Sequence, residues 1–474
     1  MRGKNTRKRA ISDRLKGRAS TTAFARQGSE HFVGDIDLPE ESPEAHAERQ
    51  MVHNDAFSSY APPGPPPLGV NDLAFVTFPE EIDSKARMRD TPFDTLFATD
   101  FTYLKDTMYP IARYSRSDSI NTYWFHWTQL DLAYLHSILF TASFFYDNLT
   151  EHKSERTKYH SYRTISELNK QLADAKTALT DSTTTVVMAM ALIAECFGDV
   201  DSAHIHVMGL KRIVELRGGM GSYANKPLLQ AKLYRAGLVY NICTGAEPAF
   251  CEETPSYASA FDHLPELLRL KPLDASYFSR SRTLVRALDR RLYNIFKDVQ
   301  GLSQLLNNSF DSSYKIQEMA LEELLTSIQS RLLRLKFEDH GNNIAELLRL
   351  SLVAYLTTVF WCFPGLKFDY PHLAMQFRQV CLAFSPTTVK ERYHFAWALT
   401  VGTISLFHGH HRDWLLEILH PLIRDHLGTT WVEVRRNLGH IMWIGSIHDC
   451  LALEVFTHFL GENRAEEVAV VGSA

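Results

Sequence analysis

From residue 90 almost to its end, the chain consists of successive segments whose apolar residues recur at helical spacing. Between Tyr123 and Phe145, one apolar stripe recurs at intervals of seven, three, four and three residues, which places its members on one face of an α-helix. The stripe consists of Phe125, Leu132, Leu135, Leu139 and Ala142. We find no comparable series of strictly alternating apolar and polar residues, the pattern of a half-buried β-strand. The sequence therefore predicts an all-α fold, built as a large helical array of antiparallel helix pairs.

The first 90 residues lack this periodicity. A basic head over residues 2–18 is followed by an acidic stretch and by the run Ala61–Pro67, whose letters are A-P-P-G-P-P-P. Few aromatic residues occur here, so the segment offers little apolar surface to offset the entropy of an ordered chain. We therefore predict a disordered segment over residues 1–90 and one helical domain over residues 91–474. The proline run favours an extended spacer or a docking peptide.

Charge and hydropathy exclude several classes of protein. The 474 residues carry a formal net charge of −5, which provides no global attraction to nucleic acid or to anionic lipid. The basic N-terminus has no apolar stretch behind it, so it does not predict a secretory signal. The longest apolar run, Leu350–Phe363, is shorter than the roughly 20 residues of a spanning helix. We predict that this run is a buried core helix and that the protein does not interact with a membrane.

The six cysteines are scattered along the chain and no two of them have C-x-x-C spacing. This distribution argues against a thiol redox motif and against a compact zinc site. We predict reduced and mostly buried thiols. The cysteines are Cys196, Cys243, Cys251, Cys362, Cys381 and Cys450.

The segment from Asp181 to Gly219 predicts an antiparallel pair of helices. Asp181 or Ser182 can cap the first helix, which should end near Gly198. The second helix should end near Gly219, where a glycine can adopt the left-handed conformation that closes a helix. Its apolar stripe consists of Ala203, Val207, Leu210 and Val214. Ala203 and Gly209 are small enough to let the two backbones approach closely.

A second helix start is encoded near the C-terminus. Thr430 followed three residues later by Glu433 is the capping-box pattern, in which each side chain binds the backbone of the other residue. We predict that one apolar face continues through the following residues, which are Val434, Leu438, Ile441 and Gly445.

The helix pair carries the residues by which the chain resembles a known family. They are Ala194, Glu195, Gly198, Asp199, Ala203, His204, His206, Gly209, Leu210, Lys211 and Val214–Gly219. This pattern resembles part of the fungal-specific transcription factor domain, the helical regulatory region of fungal regulators that carry a six-cysteine binuclear zinc cluster. The later runs Phe395–Leu399 and Arg412–Leu415 look like the C-terminal pattern of that family. The resemblance could cover roughly residues 90–460.

The resemblance implies a non-enzymatic, nuclear transcription regulator, and some related proteins belong to metabolite gene clusters. The family's zinc cluster packs six cysteines into a few dozen residues, whereas the first cysteine here is Cys196. We therefore expect action through a protein partner and not direct sequence-specific DNA binding. A small-molecule effector is a further candidate ligand. A cytosolic helical scaffold without any role in transcription is the alternative, and a zinc cluster encoded by an upstream exon is another explanation. We assign structural roles to Gly198, Asp199, Ala203, His206, Gly209, Leu216, Arg217, Gly218 and Gly219.

The basic head holds eight positive residues and one acid. Such a cluster is typical of a nuclear localisation signal or of an arm that contacts phosphates. Phosphate contacts alone would give weak, salt-sensitive binding with a Kd on the order of 10⁻⁴ to 10⁻⁶ M. A solvated tail without function is the alternative. The candidate residues are Lys4, Arg7, Lys8, Arg9, Arg14, Lys16 and Arg18.

Two further motifs have simpler interpretations than a cofactor or metal site. Residues Gly219–Ala224 match G-x-G-x-x-A, but a helix precedes them where a dinucleotide site needs a strand, so a helix end is the better interpretation. The run His408–His411, with Asp413 nearby, resembles a metal site, yet a polar loop between two helices explains it as well. The motifs G-x-S-x-G and H-E-x-x-H are absent. We therefore predict no catalytic residue, no bound metal and no cofactor.

Overall fold

The computed structural model describes residues 114–116, 126–128, 130–150, 153–250, 255–262, 277–310, 315–337, 343–360 and 368–460. The segment predicted to be disordered, including the basic head, lies outside these residues. The described residues are predominantly helical, and their only strands are the two-residue pair β1 (Ser115–Arg116) and β2 (Ile316–Gln317), which run parallel. The prediction of an all-α fold is confirmed.

Fourteen α-helices have both ends within the described residues, and residues 126–128 and 130 are helical as well. The first five are α1 Leu132–Thr150, α2 Glu155–Ala173, α3 Asp181–Cys196, α4 Val200–Leu216 and α5 Pro227–Thr244. The others are α6 Ser279–Leu288, α7 Arg290–Phe310, α8 Glu318–Arg334, α9 Asn343–Phe360, α10 Pro371–Ala383, α11 Val389–Ser405, α12 Asp413–Leu422, α13 Trp431–Ile441 and α14 Gly445–Leu460. Short 3₁₀-helices lie at Met220–Tyr223, Ala260–Asp262 and Gly409–Arg412, and a π-helical turn at Ile423–Leu427.

The described residues divide into two compact units, and the boundary between them lies within α5. The first unit contains residues 126–236, and the second contains residues 114–116 and 237–460. That residues 91–474 form one domain stays a prediction.

In the first unit, α1 packs against α2 and α3, and α3 packs against α4. The predicted stripe faces this core, because Leu135 and Leu139 are fully buried. Phe125 lies outside the described residues. Helix α1 begins at Leu132 because the Asp131 carboxylate accepts a hydrogen bond from the backbone N–H of Tyr134 at 3.0 Å, as an N-cap side chain does.

The core of the second unit is built around α9 and α11. The apolar run predicted to form a buried helix lies largely in α9, in which Leu350, Leu352 and Leu356 are all at most 1% exposed. Trp397 of α11 is fully buried, and its indole N–H donates to the backbone oxygen of Met442 at 3.0 Å. Among the helices that the structure describes, none is both long and apolar enough to cross a membrane.

The capping box at the start of α13 is confirmed. The Thr430 hydroxyl accepts from the backbone N–H of Glu433 at 3.3 Å, and the Glu433 carboxylate accepts from the N–H of Thr430 at 3.3 Å. The continuation of the same face to Gly445 is wrong. Met442 adopts an extended conformation and ends the helix, so Gly445 begins α14 instead.

Four of the six cysteines lie among the described residues, and no disulfide bond joins any of these four. Cys243 and Cys381 are buried and Cys196 is half-buried, as predicted, whereas Cys450 is exposed. Burial raises the pKa of the Cys381 thiol far above its usual range.

Candidate functional site

The junction of α3 and α4 explains two of the family-motif residues. Gly198 has a φ of +69°, its N–H donates to the oxygen of Glu195, and the N–H of Asp199 donates to the oxygen of Ala194. This pair of bonds closes α3 as a Schellman motif. The Asp199 carboxylate then accepts from the N–H of Ser202 at 3.0 Å and caps α4. The two helices therefore join through Gly198 and Asp199 with almost no intervening loop.

Helix α4 ends in the same kind of Schellman motif as α3. The N–H of Gly218 donates to Glu215 at 3.0 Å, and that of Gly219 donates to Val214 at 2.9 Å. The φ angles of these glycines are +101° and +90°, so the predicted left-handed glycine closure is confirmed. The run that resembles a dinucleotide fingerprint is this helix end followed by a 3₁₀-helix, Met220–Tyr223.

Replacing Gly219 by alanine is expected to destabilise the first unit by about 1–3 kcal/mol, because its φ of +90° and ψ of −176° lie in a region that only glycine adopts readily. A Cβ atom there would meet no atom of the described residues within 4 Å, so we expect the cost to be backbone strain. Gly221→Ala is the matched control, since that position is also open but has no positive φ. Urea unfolding monitored by circular dichroism measures both variants. Equal midpoints for the two would contradict this account.

The side chain of Arg217 links the end of α4 to the start of α3 through an ion pair. Its guanidinium donates to the Asp181 carboxylate at 2.8 Å and lies 4.2 Å from the centre of the Tyr223 ring. Lys226 donates to the same carboxylate at 2.7 Å. Tyr223 is fully buried, and its hydroxyl lies 3.5 Å from that of Thr184. One carboxylate, two cations and one aromatic ring thus form a cluster that closes the helix pair.

The two cations of this cluster share one carboxylate, so the cluster keeps one net positive charge. The side chains of Arg217, Asp181 and Lys226 are 12%, 18% and 29% exposed, so their attraction is only partly screened by water. The negative charge of Asp181 also lies in the first turn of α3, where the helix dipole favours an anion. The arrangement indicates a positioning role for Arg217, because its guanidinium is engaged within the chain.

The N-cap of α3 is Thr180, whose hydroxyl accepts from the N–H of Thr183 at 3.2 Å. The prediction that Asp181 or Ser182 caps this helix is therefore wrong. Both side chains are engaged in tertiary contacts, since Asp181 binds the cluster above and the Ser182 hydroxyl donates to the Asp131 carboxylate. Asp131 thereby links the starts of α1 and α3.

The remaining motif residues have mixed surroundings. Ala203 is buried and Leu216 is 49% exposed. A Cβ atom added to Gly209 would lie 3.9 Å from Val187, an ordinary contact, so the close approach does not itself require glycine there. Burial lowers the pKa of His206 to about 4, against the opposing attraction of Asp199.

Glu195 is a motif residue whose surroundings the sequence did not reveal. It is 3% exposed, and neither of its carboxyl oxygens has a hydrogen-bond partner among the described residues. Burial therefore raises its pKa well above the usual range, which favours the neutral acid. Its spacing of four and eight residues from the buried Ala191 and Val187 was the available signal, because that spacing puts it on a core-facing side.

The histidine run lies in the 3₁₀-helix Gly409–Arg412 between α11 and α12. His410 and His411 are exposed, and Nδ1 of His410 lies 3.7 Å from the Asp413 carboxylate. Across the described ranges, no group of three or more His, Cys, Asp or Glu side chains is arranged to hold a metal ion.

Most of the chain matches the model of a known protein family. The model of a family described as "Fungal specific transcription factor domain" matches residues 91–432, which is more than half of the 474-residue chain. No curated protein and no solved structure matches the chain significantly. The matched range includes the whole α3–α4 pair with its two glycine closures.

Proposed function

The chain belongs to the fungal specific transcription factor domain family, and from this premise we propose that it regulates transcription through its helical domain and a protein partner. The family match over residues 91–432 is the observation that carries the proposal. The domain acts by binding and not by catalysis.

A partner enters the proposal because the first cysteine of the sequence is Cys196, and the six cysteines do not cluster as the ligands of a binuclear zinc site would. The partner would supply the contact with DNA bases, since phosphate contacts alone carry no direct sequence information. The basic head over residues 2–18 would direct the chain to the nucleus. A small-molecule effector could modulate the same helical domain.

Neutralising the basic head is expected to reduce nuclear accumulation of the tagged chain in fungal cells. The variant replaces Lys4, Arg7, Lys8, Arg9, Arg14, Lys16 and Arg18 by glutamine. Fluorescence microscopy measures the nuclear-to-cytoplasmic ratio. The control variant replaces Glu40, Glu41 and Glu44 by glutamine and should retain the ratio of the unaltered chain. Exclusion of the unaltered chain from the nucleus would contradict the proposal.

Tethering tests the regulatory step separately. The full chain fused to an unrelated sequence-specific DNA-binding domain should change expression of a reporter that carries the matching site, relative to that domain alone. The alternative, a cytosolic helical scaffold, predicts an unchanged reporter. It also predicts that metabolic or trafficking proteins are recovered with the chain on affinity purification, in place of transcriptional proteins.

A further inference from the structure

A cluster of arginine, histidine and tyrosine side chains lies on the second unit where α6, α11, α13 and the π-helical turn Ile423–Leu427 pack together. We refer to it as the basic-aromatic surface. It consists of Tyr277, Arg280, Arg392, Tyr393, His426, Arg436 and His440.

Ring contacts hold this surface together. The Arg280 guanidinium lies 5.2 Å from the centre of the Tyr393 ring, and the rings of Tyr277 and His440 meet edge to face at 4.6 Å. A Cβ atom added to Gly439 would lie 2.9 Å from the Tyr277 hydroxyl, so the absence of a side chain there makes room for the tyrosine. Tyr277 remains 42% exposed, a large aromatic side chain at the surface of the unit.

The positive charge of this surface is not neutralised within the described chain. Arg280 and Arg436 are exposed, and neither forms an ion pair with a described carboxylate. Arg392 is half-buried, and the backbone oxygen of Thr387, at 3.3 Å, is its only acceptor in the part of the chain that the structure describes. Helix α6, which provides Arg280, contains two further arginines and no acidic residue.

The positive charges of these arginines converge on two histidines of the same surface. Burial lowers the pKa of His440, and the charges of Arg280 and Arg436 lower it further. Burial also lowers the pKa of His426, which Arg392 and Arg280 lower further and Asp425 raises. Arg280 thus acts on side chains of both α13 and the π-helical turn.

We infer that the basic-aromatic surface binds an acidic peptide segment of the partner protein. A guanidinium binds a carboxylate through two parallel hydrogen bonds, and Arg280 and Arg436 both have that capacity available. The exposed Tyr277 ring adds an apolar contact beside them, and arginine with tyrosine is the combination enriched at the energetic centre of protein interfaces. The inference rests on the proposed function and names the chemistry of its partner.

Charge favours a short peptide over a nucleic-acid duplex. One carboxylate belongs to this region, because the negative charge of Asp425 acts on His426. This negative charge and the formal net charge of −5 of the chain both oppose a continuous row of phosphates. A peptide can place its few acidic side chains on the arginines alone.

The test is a titration of the purified full chain with a short fluorescent peptide of Asp and Glu residues around one leucine, followed by anisotropy. Binding should weaken with added salt. It should weaken about tenfold for Arg280→Gln and further for the double variant with Arg436→Gln. Arg286→Gln is the matched control, since Arg286 is an exposed arginine on a different face of the same helix.

The same peptide with Asn and Gln in place of its acids should not bind. Equal affinity for the acidic and amide peptides would overturn the inference, and so would an equal loss in Arg286→Gln. Tighter binding to a DNA duplex than to the acidic peptide, with the same loss in Arg280→Gln, would overturn it in favour of nucleic acid. If the peptide does not bind while the tethered reporter responds, this inference alone fails. If the peptide binds while the reporter is silent, the proposed function fails instead.

Discussion

Replacing Arg331 by methionine is expected to reduce the free energy of unfolding of the second unit by about 3–5 kcal/mol, because it leaves the Asp298 carboxylate buried without its cation. Arg331 and Asp298 have side chains only 2% and 1% exposed, and Nη2 of Arg331 donates to Oδ2 of Asp298 at 2.7 Å. Water can therefore replace very little of the lost interaction.

The surrounding hydrogen bonds make this pair a structural link. Arg331 also donates to the backbone oxygen of Ala258 at 2.7 Å, while Asp298 accepts from the hydroxyl of Ser259 and from the N–H of Ala260. The pair therefore holds residues 258–260 against α7 and α8. Its loss should loosen that segment as well as lower the stability.

Urea unfolding provides the measurement, with Lys336→Met as the control. Lys336 forms an ion pair with Glu247, but both side chains are nearly 80% exposed, so its loss should cost at most about 1 kcal/mol. A double variant, Arg331→Met with Asp298→Leu, should recover part of the loss because no charge then remains buried. A cost for Arg331→Met as small as that of the control would contradict the prediction.

Acidification from about pH 7.5 to about pH 5 is expected to lower the free energy of unfolding of the second unit by about 2 kcal/mol through His448 alone. This imidazole is fully buried, and burial lowers its pKa from 6.5 to about 3. Below about pH 6.5 the imidazole binds a proton in the unfolded chain but not in the folded chain. The contribution of His448 to the free energy of unfolding is therefore fully present above that pH and decreases as the pH falls.

Its hydrogen bonds explain why the neutral form is held. Nδ1 of His448 accepts from the N–H of Ile444 at 3.1 Å, so the ring proton is on Nε2, which donates to the hydroxyl of Thr358 at 2.7 Å. Protonation would place a second hydrogen where Nδ1 now accepts one. The arrangement therefore stabilises one neutral tautomer.

A histidine pair adds an effect of the same sign in the first unit. Nδ1 of His136 and Nδ1 of His160 lie 2.9 Å apart in the core, where one must donate and the other accept. Burial lowers both pKa values, and the charge of Arg163 lowers that of His136 further. Acid should therefore destabilise both units.

Urea unfolding at the two pH values tests this prediction. In His448→Gln the loss between them should be smaller by about 2 kcal/mol, whatever the variant costs at neutral pH. In His411→Gln, which removes an exposed imidazole, the loss should be that of the unaltered chain. If His448→Gln and the unaltered chain lose equal stability on acidification, His448 does not titrate as proposed.

Sequence reasoning captured the features that are encoded over a few residues. The helical stripe of Leu135 and Leu139, the capping box of Thr430 and the glycine closure after α4 each depend on neighbours within about one or two turns. The family resemblance also rests on a local pattern, that of the α3–α4 pair. Such signals survive because periodicity and caps act through the local backbone.

The features that could not be predicted from the sequence are contacts between residues far apart in the chain. The sequence predicts that either Asp181 or Ser182 caps α3. Instead, Arg217, 36 residues after Asp181, and Asp131, 51 residues before Ser182, engage these two side chains. In the sequence, nothing distinguishes Asp298 and Arg331 from charged residues at the surface. Only the packing of the helices buries both side chains.

By itself, the sequence determined a helical domain with one glycine-closed helix end, that of α4, and a resemblance to a regulatory family. Only the tertiary structure decided which polar side chains are buried, which of them find partners, and that Arg280, Arg392 and Arg436 share one surface. The physical reason is that a helical pattern is set by local geometry, whereas burial and charge pairing depend on which helices pack together.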